Sequence, residues 1–212
     1  MTRERLSDMI ARDPDVVFRN EWSYRLRQRA FDLTVGTVAL AVSAPVLGAA
    51  ALAIWLEDRG PVLFKQRRVG RYGRLFTIYK LRTMRTEACV DATSPAGRSD
   101  TRVTRVGSFL RKTSIDELPQ FLNVVKGDMA VVGPRPEMPF LVGRYERWQY
   151  CRLLRKPGIT GLWQVACRKQ IPLHEPEATK IDLEYVRTAS TLTDGRIFLR
   201  TFAALFTTQG AY

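Results

Sequence analysis

The stretch LTVGTVALAVSAPVLGAAALAIWL, Leu33 to Leu56, has 24 residues, no charged side chain, and a proline, Pro45, at its centre. One straight helix of that length is about 36 Å long, enough to cross a hydrocarbon core of roughly 30 Å. Pro45 cannot donate the backbone hydrogen bond that a helix needs there. The flanks argue against a simple crossing. Arg25, Arg27 and Arg29 precede the run, and Arg59, Lys65, Arg67, Arg68, Arg71 and Arg74 follow it. Positive charge marks the cytoplasmic end of a membrane segment, and here both ends carry it. Three readings follow, in this order. The helix breaks near Pro45, dips into one leaflet and returns; it spans with a kink; or it is the buried core helix of a soluble protein. Length and the lack of a polar face weigh against the last. At a bend, Ser43 could satisfy one freed backbone group.

Around this segment lies a basic chain. It has 212 residues with a net charge of +13, so its partners should be anionic: phosphorylated substrates, anionic lipid or nucleic acid. Nucleic acid leaves the apolar run unexplained, and no nucleic-acid motif is present. The hydrophobic share of 45% permits a packed core and excludes a disordered composition. Cys89, Cys151 and Cys167 are widely spaced and odd in number, which suits reduced thiols. A single histidine, His174, excludes a zinc site built on histidines. The apolar run starts too late for a cleavable signal peptide.

The pattern divides the chain into an amphipathic lead-in over 1–30, a re-entrant membrane segment over 31–57 and a cytoplasmic domain over 58–212. The fold class expected is α+β, mostly helical with a small β-hairpin. Val62-Leu63-Phe64 and Leu75 to Tyr79 read as its two strands, around Gly70-Arg71-Tyr72-Gly73. Residues 87–101 read as a loop. Helices are expected over 104–112, 116–125, 139–154, 176–189 and 195–207, with Gly127 ending the second. The last of these is basic and apolar, suited to the core or to a membrane interface. Turns are expected at Pro157-Gly158 and Thr160-Gly161.

Asp116-Glu117 is the sharpest chemical candidate: two carboxylates at a helix start, just after Arg111 and Lys112. Ser114-Ile115-Asp116-Glu117 also matches a capping box, and the local pattern alone favours the cap. A capped helix start would still hold a carboxylate rigidly. Pro134-Arg135-Pro136 locks the backbone around one guanidinium, a fork suited to phosphate oxygens, or forms a plain rigid turn. Lys80 and Arg82 would share a strand face and bind phosphate or lipid headgroups, or form a solvated basic edge. The segment Lys156 to Gln164 offers Gly-rich amides but lacks Walker spacing, and no dinucleotide fingerprint is present.

In order, the chain carries the proline-centred apolar run, Tyr79-Lys80-Leu81-Arg82-Thr83-Met84, Ser114-Ile115-Asp116-Glu117-Leu118-Pro119-Gln120, Asn123 to Met129, Val132-Gly133-Pro134-Arg135-Pro136-Glu137 and Pro157 to Val165. This series resembles the bacterial sugar transferases, the monotopic phosphoglycosyl transferases that begin exopolysaccharide, O-antigen or glycoprotein glycan assembly. The likeness runs from about Arg29 to Tyr212 and to the minimal catalytic form, without an added transmembrane bundle.

The resemblance implies transfer of a sugar-1-phosphate from a nucleotide diphosphate sugar to polyprenyl phosphate, with UMP released from a UDP-sugar; the alternative is a non-catalytic basic membrane-surface binding module, which would not need Asp116. It implies that 58–212 is the catalytic domain, at the cytoplasmic face of a bacterial inner membrane. Asp116 matches the nucleophile that forms a covalent phosphosugar intermediate. Glu117 matches its partner, as base or as positioning group. Mg²⁺ is the implied cofactor, contacting Asp116. Lys80, Arg82, Arg111, Arg135 and Arg168 are the implied phosphate and substrate contacts. Three positions depart from the pattern: Ala44 stands before Pro45 where serine is common, Ala130 follows Asp128-Met129, and Cys167 precedes Arg168 in place of glycine. The aromatic segments near 145–150 and 198–206 suit a homodimer interface or the bilayer.

Overall fold

The computed structural model describes residues 21–86, 100–167, 171 and 175–206. Residues 1–20 of the lead-in, most of the 87–101 loop, Cys89, Arg168 and His174 lie outside the described residues.

Helix α1, Glu21–Glu57, carries the apolar run without interruption, with Pro45 inside it, so the break expected at Pro45 is not seen. The Ser43 hydroxyl donates to the Leu40 carbonyl at 3.4 Å. Val38, Val42, Val46, Leu52 and Leu56 all face outward and exposed. Only 17% of its most apolar window is buried inside the protein, so the buried-core reading of this segment does not hold.

Both ends of α1 are tied to one and the same domain. Near its start, Arg29 donates to the Val124 and Val125 carbonyls at 2.8 and 2.7 Å. The Asp32 carboxylate accepts from the Val131 amide at 2.8 Å. At its end, the Glu57 carboxylate accepts from the amides of Arg105 and Val106 at 2.8 and 2.9 Å. Ala50 and Ile54 pack with Leu81 and Leu110.

The hairpin forms as expected, with longer strands: β1, Leu63–Val69, pairs antiparallel with β2, Leu75–Leu81. Its turn is a single 3-10 turn, Arg71–Gly73, with Tyr72 and Gly73 at positive φ. Helix α2, Arg105–Thr113, is followed by a 3-10 helix, Ile115–Gln120, and by α3, Phe121–Lys126. Gly127, at φ +89°, ends α3 as expected. Buried Asn123 docks this run on β2: its side chain donates to the Thr77 carbonyl at 2.7 Å and accepts from the Tyr79 amide at 3.2 Å.

Two further expectations are corrected. The helix expected over 139–154 is split into α4, Pro139–Val142, and a 3-10 helix, Arg147–Leu154. A reciprocal Glu146–Gln149 capping box starts the second piece, while Tyr145 and Tyr150 pack edge to face at 5.7 Å across the break. And Pro157-Gly158 does not begin a free turn. Gly158–Thr160 is strand β4, parallel to β3, Ala130–Val132. Glycine makes this pairing possible, since a Cβ at Gly158 would lie 2.1 Å from the Gly133 amide nitrogen.

Helix α5, Leu162–Ala166, leads to α6, Pro176–Thr188, and α7, Thr191–Phe206. The main core joins Phe76, Ile78, Val124, Met129, Val131, Val132, Tyr185 and Ile197. Helix α7 therefore packs in the core through Ile197, while Leu192, Leu199 and Phe202 stay exposed.

Helix α2 runs tight against the segment that follows β2. A Cβ at Gly107 would lie 2.1 Å from the Thr83 carbonyl oxygen. Gly107→Ala should therefore cost about 1–3 kcal/mol by overpacking, lowering Tm by roughly 2–4 °C per kcal/mol. Thermal unfolding in detergent measures this, and an unchanged Tm would contradict the close approach.

Candidate active site

The site is built where α2 turns into the 3-10 helix. Thr104 caps α2, its hydroxyl accepting from the Gly107 amide at 2.9 Å, beside the Glu57 contacts. At the other end Ser114 takes the left-handed conformation, φ 58°, and reverses the chain. Few non-glycine residues adopt it, and it costs on the order of 1–3 kcal/mol. The bend sets Asp116 and Glu117 in the next turn against β2.

The expected capping box is absent: Ser114 makes no side-chain cap. Glu117 is instead engaged away from its own helix. Its Oε1 accepts from Lys80 Nζ at 2.8 Å and from Arg135 Nη2 at 2.9 Å. One carboxylate thus ties together β2, the 3-10 helix and the Pro134-Arg135-Pro136 segment. The side chains of Lys80, Glu117 and Arg135 are 15–20% exposed, so these are charge-assisted contacts in a partly desolvated place.

The two carboxylates are held in opposite ways. Burial would raise Glu117, but Arg135 and Lys80 more than offset it and hold its carboxyl well below the usual range. Burial pushes Asp116 up to about 6, against the opposing pull of Lys80, with the negative charge of Glu117 adding to the rise. Asp116 forms none of the ion pairs found among the described residues, yet Lys80, Arg111 and Arg135 all act on it electrostatically. Arg111 itself is aimed by a 2.7 Å bond from its Nε to the Thr83 hydroxyl.

Five of the residues singled out in the sequence therefore converge: Lys80, Arg111, Asp116, Glu117 and Arg135. Arg82 goes elsewhere. Strand β2 ends at Leu81, so the alternation that would have aligned Arg82 with Lys80 stops. Arg82 is buried and donates to the Asp58 carbonyl, with its Nη1 3.7 Å from the Asp58 carboxylate. It braces the end of α1. Arg168 lies outside the described residues.

Sequence reading missed the support behind Arg135. Arg152, fully buried, donates to the Arg135 carbonyl at 3.1 Å and pairs with Asp182, with Glu137 at 3.7 Å. These residues lie far apart in the chain, and no local pattern links them. It also missed Arg68, on β1, which donates to the Pro136 carbonyl at 3.2 Å.

Among the described residues, no group of three or more Asp, Glu, His or Cys side chains could enclose a metal. Mg²⁺ commonly binds through one or two carboxylates plus substrate phosphates. Asp116, a hard oxygen donor outside any ion pair, fits that mode, whereas the Glu117 Oε1 is already taken by two cations.

Burial of Asp116 has a consequence for stability. Its folded-state pKa lies above the ordinary aspartate value, so its charge destabilises the fold above about pH 6. Below roughly pH 4, where folded and unfolded chains are both protonated, the penalty disappears. Asp116→Asn should therefore raise Tm at pH 8 with chelator present, and the gain should fade through about pH 6. A gain that stays constant with pH would show that the charge carries no such penalty.

The bacterial sugar transferase model matches residues 23–208 of this chain. The UDP-glucose:undecaprenyl-phosphate glucose-1-phosphate transferase of Caulobacter vibrioides is 43% identical over 201 residues, 88% of this chain and 72% of that protein. The Escherichia coli protein of the same description is 39% identical, over 89% of this chain and 42% of its own length. The undecaprenyl-phosphate galactose phosphotransferase of Salmonella typhimurium is 36% identical, over 90% and 42%. The chain thus spans less than half the length of several relatives it matches. With nearly the whole chain matched and the dyad set among its cations, the chain belongs to the bacterial sugar transferase family.

Proposed function

We propose that this chain transfers a sugar-1-phosphate from a UDP-sugar to polyprenyl phosphate through a covalent aspartyl phosphosugar, releasing UMP. The observation that carries this reading is the placement of Asp116 among Lys80, Arg111 and Arg135, with Glu117 holding two of those cations in place.

In the first step a carboxylate oxygen of Asp116 attacks the β-phosphorus. The bond from that phosphorus to the bridging oxygen breaks, and UMP leaves with the bond's electrons. In the second step an oxygen of polyprenyl phosphate attacks the same phosphorus. The Asp116–phosphorus bond breaks, restoring the carboxylate and giving the polyprenyl diphosphosugar. Both steps bring one anion against another, so they need fixed positive charge at the reacting centre. Lys80, Arg111 and Arg135 provide it, and Mg²⁺, when held by Asp116 and the phosphates, would add further neutralisation.

Membrane geometry suits a lipid acceptor. Arg29 and Glu57 lie toward opposite ends of α1 and bind one domain. A straight crossing would have to place that domain within the hydrocarbon beside the helix. A re-entrant path would require α1, unbroken in this structure, to bend at Pro45, and would then keep both basic flanks and the domain at the cytoplasmic face of the inner membrane. Relatives described as acting with glucose and galactose make these sugars the first donors to examine.

With Mg²⁺ present, a UDP-sugar labelled in the sugar should label the wild-type protein and release UMP, and Asp116→Asn should abolish both. No label and no UMP across a donor panel would refute the mechanism. Topology is tested separately, with single cysteines at Arg27 and Arg59 in a cysteine-free background. Neither should react with an impermeant maleimide from outside intact spheroplasts, and both should react in inverted vesicles. Labelling of one flank from each side would establish a spanning helix instead.

A further inference from the structure

Arg68 belongs to none of the motifs from which the site was read, yet it stands beside Arg135. Strand β1 is stitched to the segment after Arg135, the Val69 amide donating to the Glu137 carbonyl at 2.9 Å. This places Arg68 against Pro136. Its Nη1 donates to the Pro136 carbonyl at 3.2 Å and its Nη2 to the Gln66 side-chain oxygen at 2.6 Å. Both acceptors are neutral. Its Nε is buried with no hydrogen-bond partner.

Among the described residues no carboxylate lies within ion-pair distance of Arg68. The two carboxylates that act on it, Glu137 and Glu117, already hold Arg152, and Lys80 with Arg135. Burial and the like charge of Arg135 together pull its guanidinium down to about 10. A desolvated cation beside another cation, without an anion of its own, is costly unless a ligand completes it. The strand and its two neutral acceptors fix its orientation, so little further entropy is lost on binding.

We propose that Arg68 contacts a substrate phosphate, as a fourth cation of the site beside Lys80, Arg111 and Arg135. This rests on the proposed phosphoglycosyl transfer. The phosphate belongs either to the donor diphosphate or to the polyprenyl acceptor, which offer the same oxyanion chemistry.

The test uses the full chain in detergent and compares the parent with Arg68→Gln and Arg68→Lys. Glutamine keeps a donor for the Pro136 carbonyl but loses the charge, while lysine keeps the charge. Binding is measured to UDP and uridine for the donor arm, and to farnesyl phosphate and farnesol for the acceptor arm. Arg68→Gln should weaken UDP or farnesyl phosphate by about tenfold or more. Uridine and farnesol should bind as they do to the parent, and Arg68→Lys should lose less. The arm that weakens identifies the source of the phosphate.

Unchanged binding of both phosphate probes by a folded Arg68→Gln overturns the assignment and leaves the proposed function standing. Equal weakening of the phosphate-free probes overturns it too, reducing Arg68 to a brace for the Pro136 bend. A parent that binds neither phosphate probe overturns both.

Discussion

The double ion pair of Glu117 with Lys80 and Arg135 is the interaction on which the site's arrangement rests. Lys80 comes from the hairpin, Arg135 from the rigid segment after β3, and Glu117 from the turn after α2. Left without an anion, these two cations would repel each other. A partly buried pair of this kind adds little net stability, because desolvation consumes most of the Coulomb gain. Its effect is positional. It draws cations to one point and fixes the spacing between three elements, two of which share the isolated Val69–Glu137 backbone bridge.

The remaining architecture supports that point. Asn123 mimics a strand partner for β2, fixing the height of Lys80. Fully buried Arg152 holds the Arg135 carbonyl from behind. Glycines at 133 and 158 let β3 and β4 approach closely enough to anchor the start of the Pro134–Pro136 bend. Glu57 joins the end of the apolar helix to α2, whose far end carries Arg111 and the Ser114 reversal. The apolar helix and the dyad are therefore two ends of one connected path.

Much of this was legible because motif residues carry local constraints. The charge-free run declared its helix, and hairpin periodicity gave the strands to within a few residues. The catalytic candidates were identified from the ordered motifs rather than from any single one. Failures came where a long-range contact overrode a local rule. The Ser114–Glu117 spacing obeys the capping rule, but two cations distant in sequence compete better for Glu117. Arg82 obeys strand alternation only if the strand continues, and it ends one residue earlier. Pro157-Gly158 looks like a turn because close parallel pairing with β3 leaves no local trace. Arg68 and Arg152 are ordinary basic residues in a chain with 34 of them, so composition could not single them out.

The opposite states of the two carboxylates bear on the open role of Glu117. A general base works best with a pKa near the working pH. Glu117, whose carboxyl Arg135 and Lys80 hold well below the usual range, is poorly matched to that role. A polyprenyl phosphate at that pH is already largely ionised, given a second phosphate pKa of about 6, so it needs little help to attack. Asp116 has the complementary property: raised to about 6, it is ionised at neutral pH and more basic than an ordinary aspartate, which favours nucleophilic attack. Under the proposed mechanism the dyad divides the labour. Glu117 would hold the cations where phosphates need them, and Asp116 would carry the reactive oxygen.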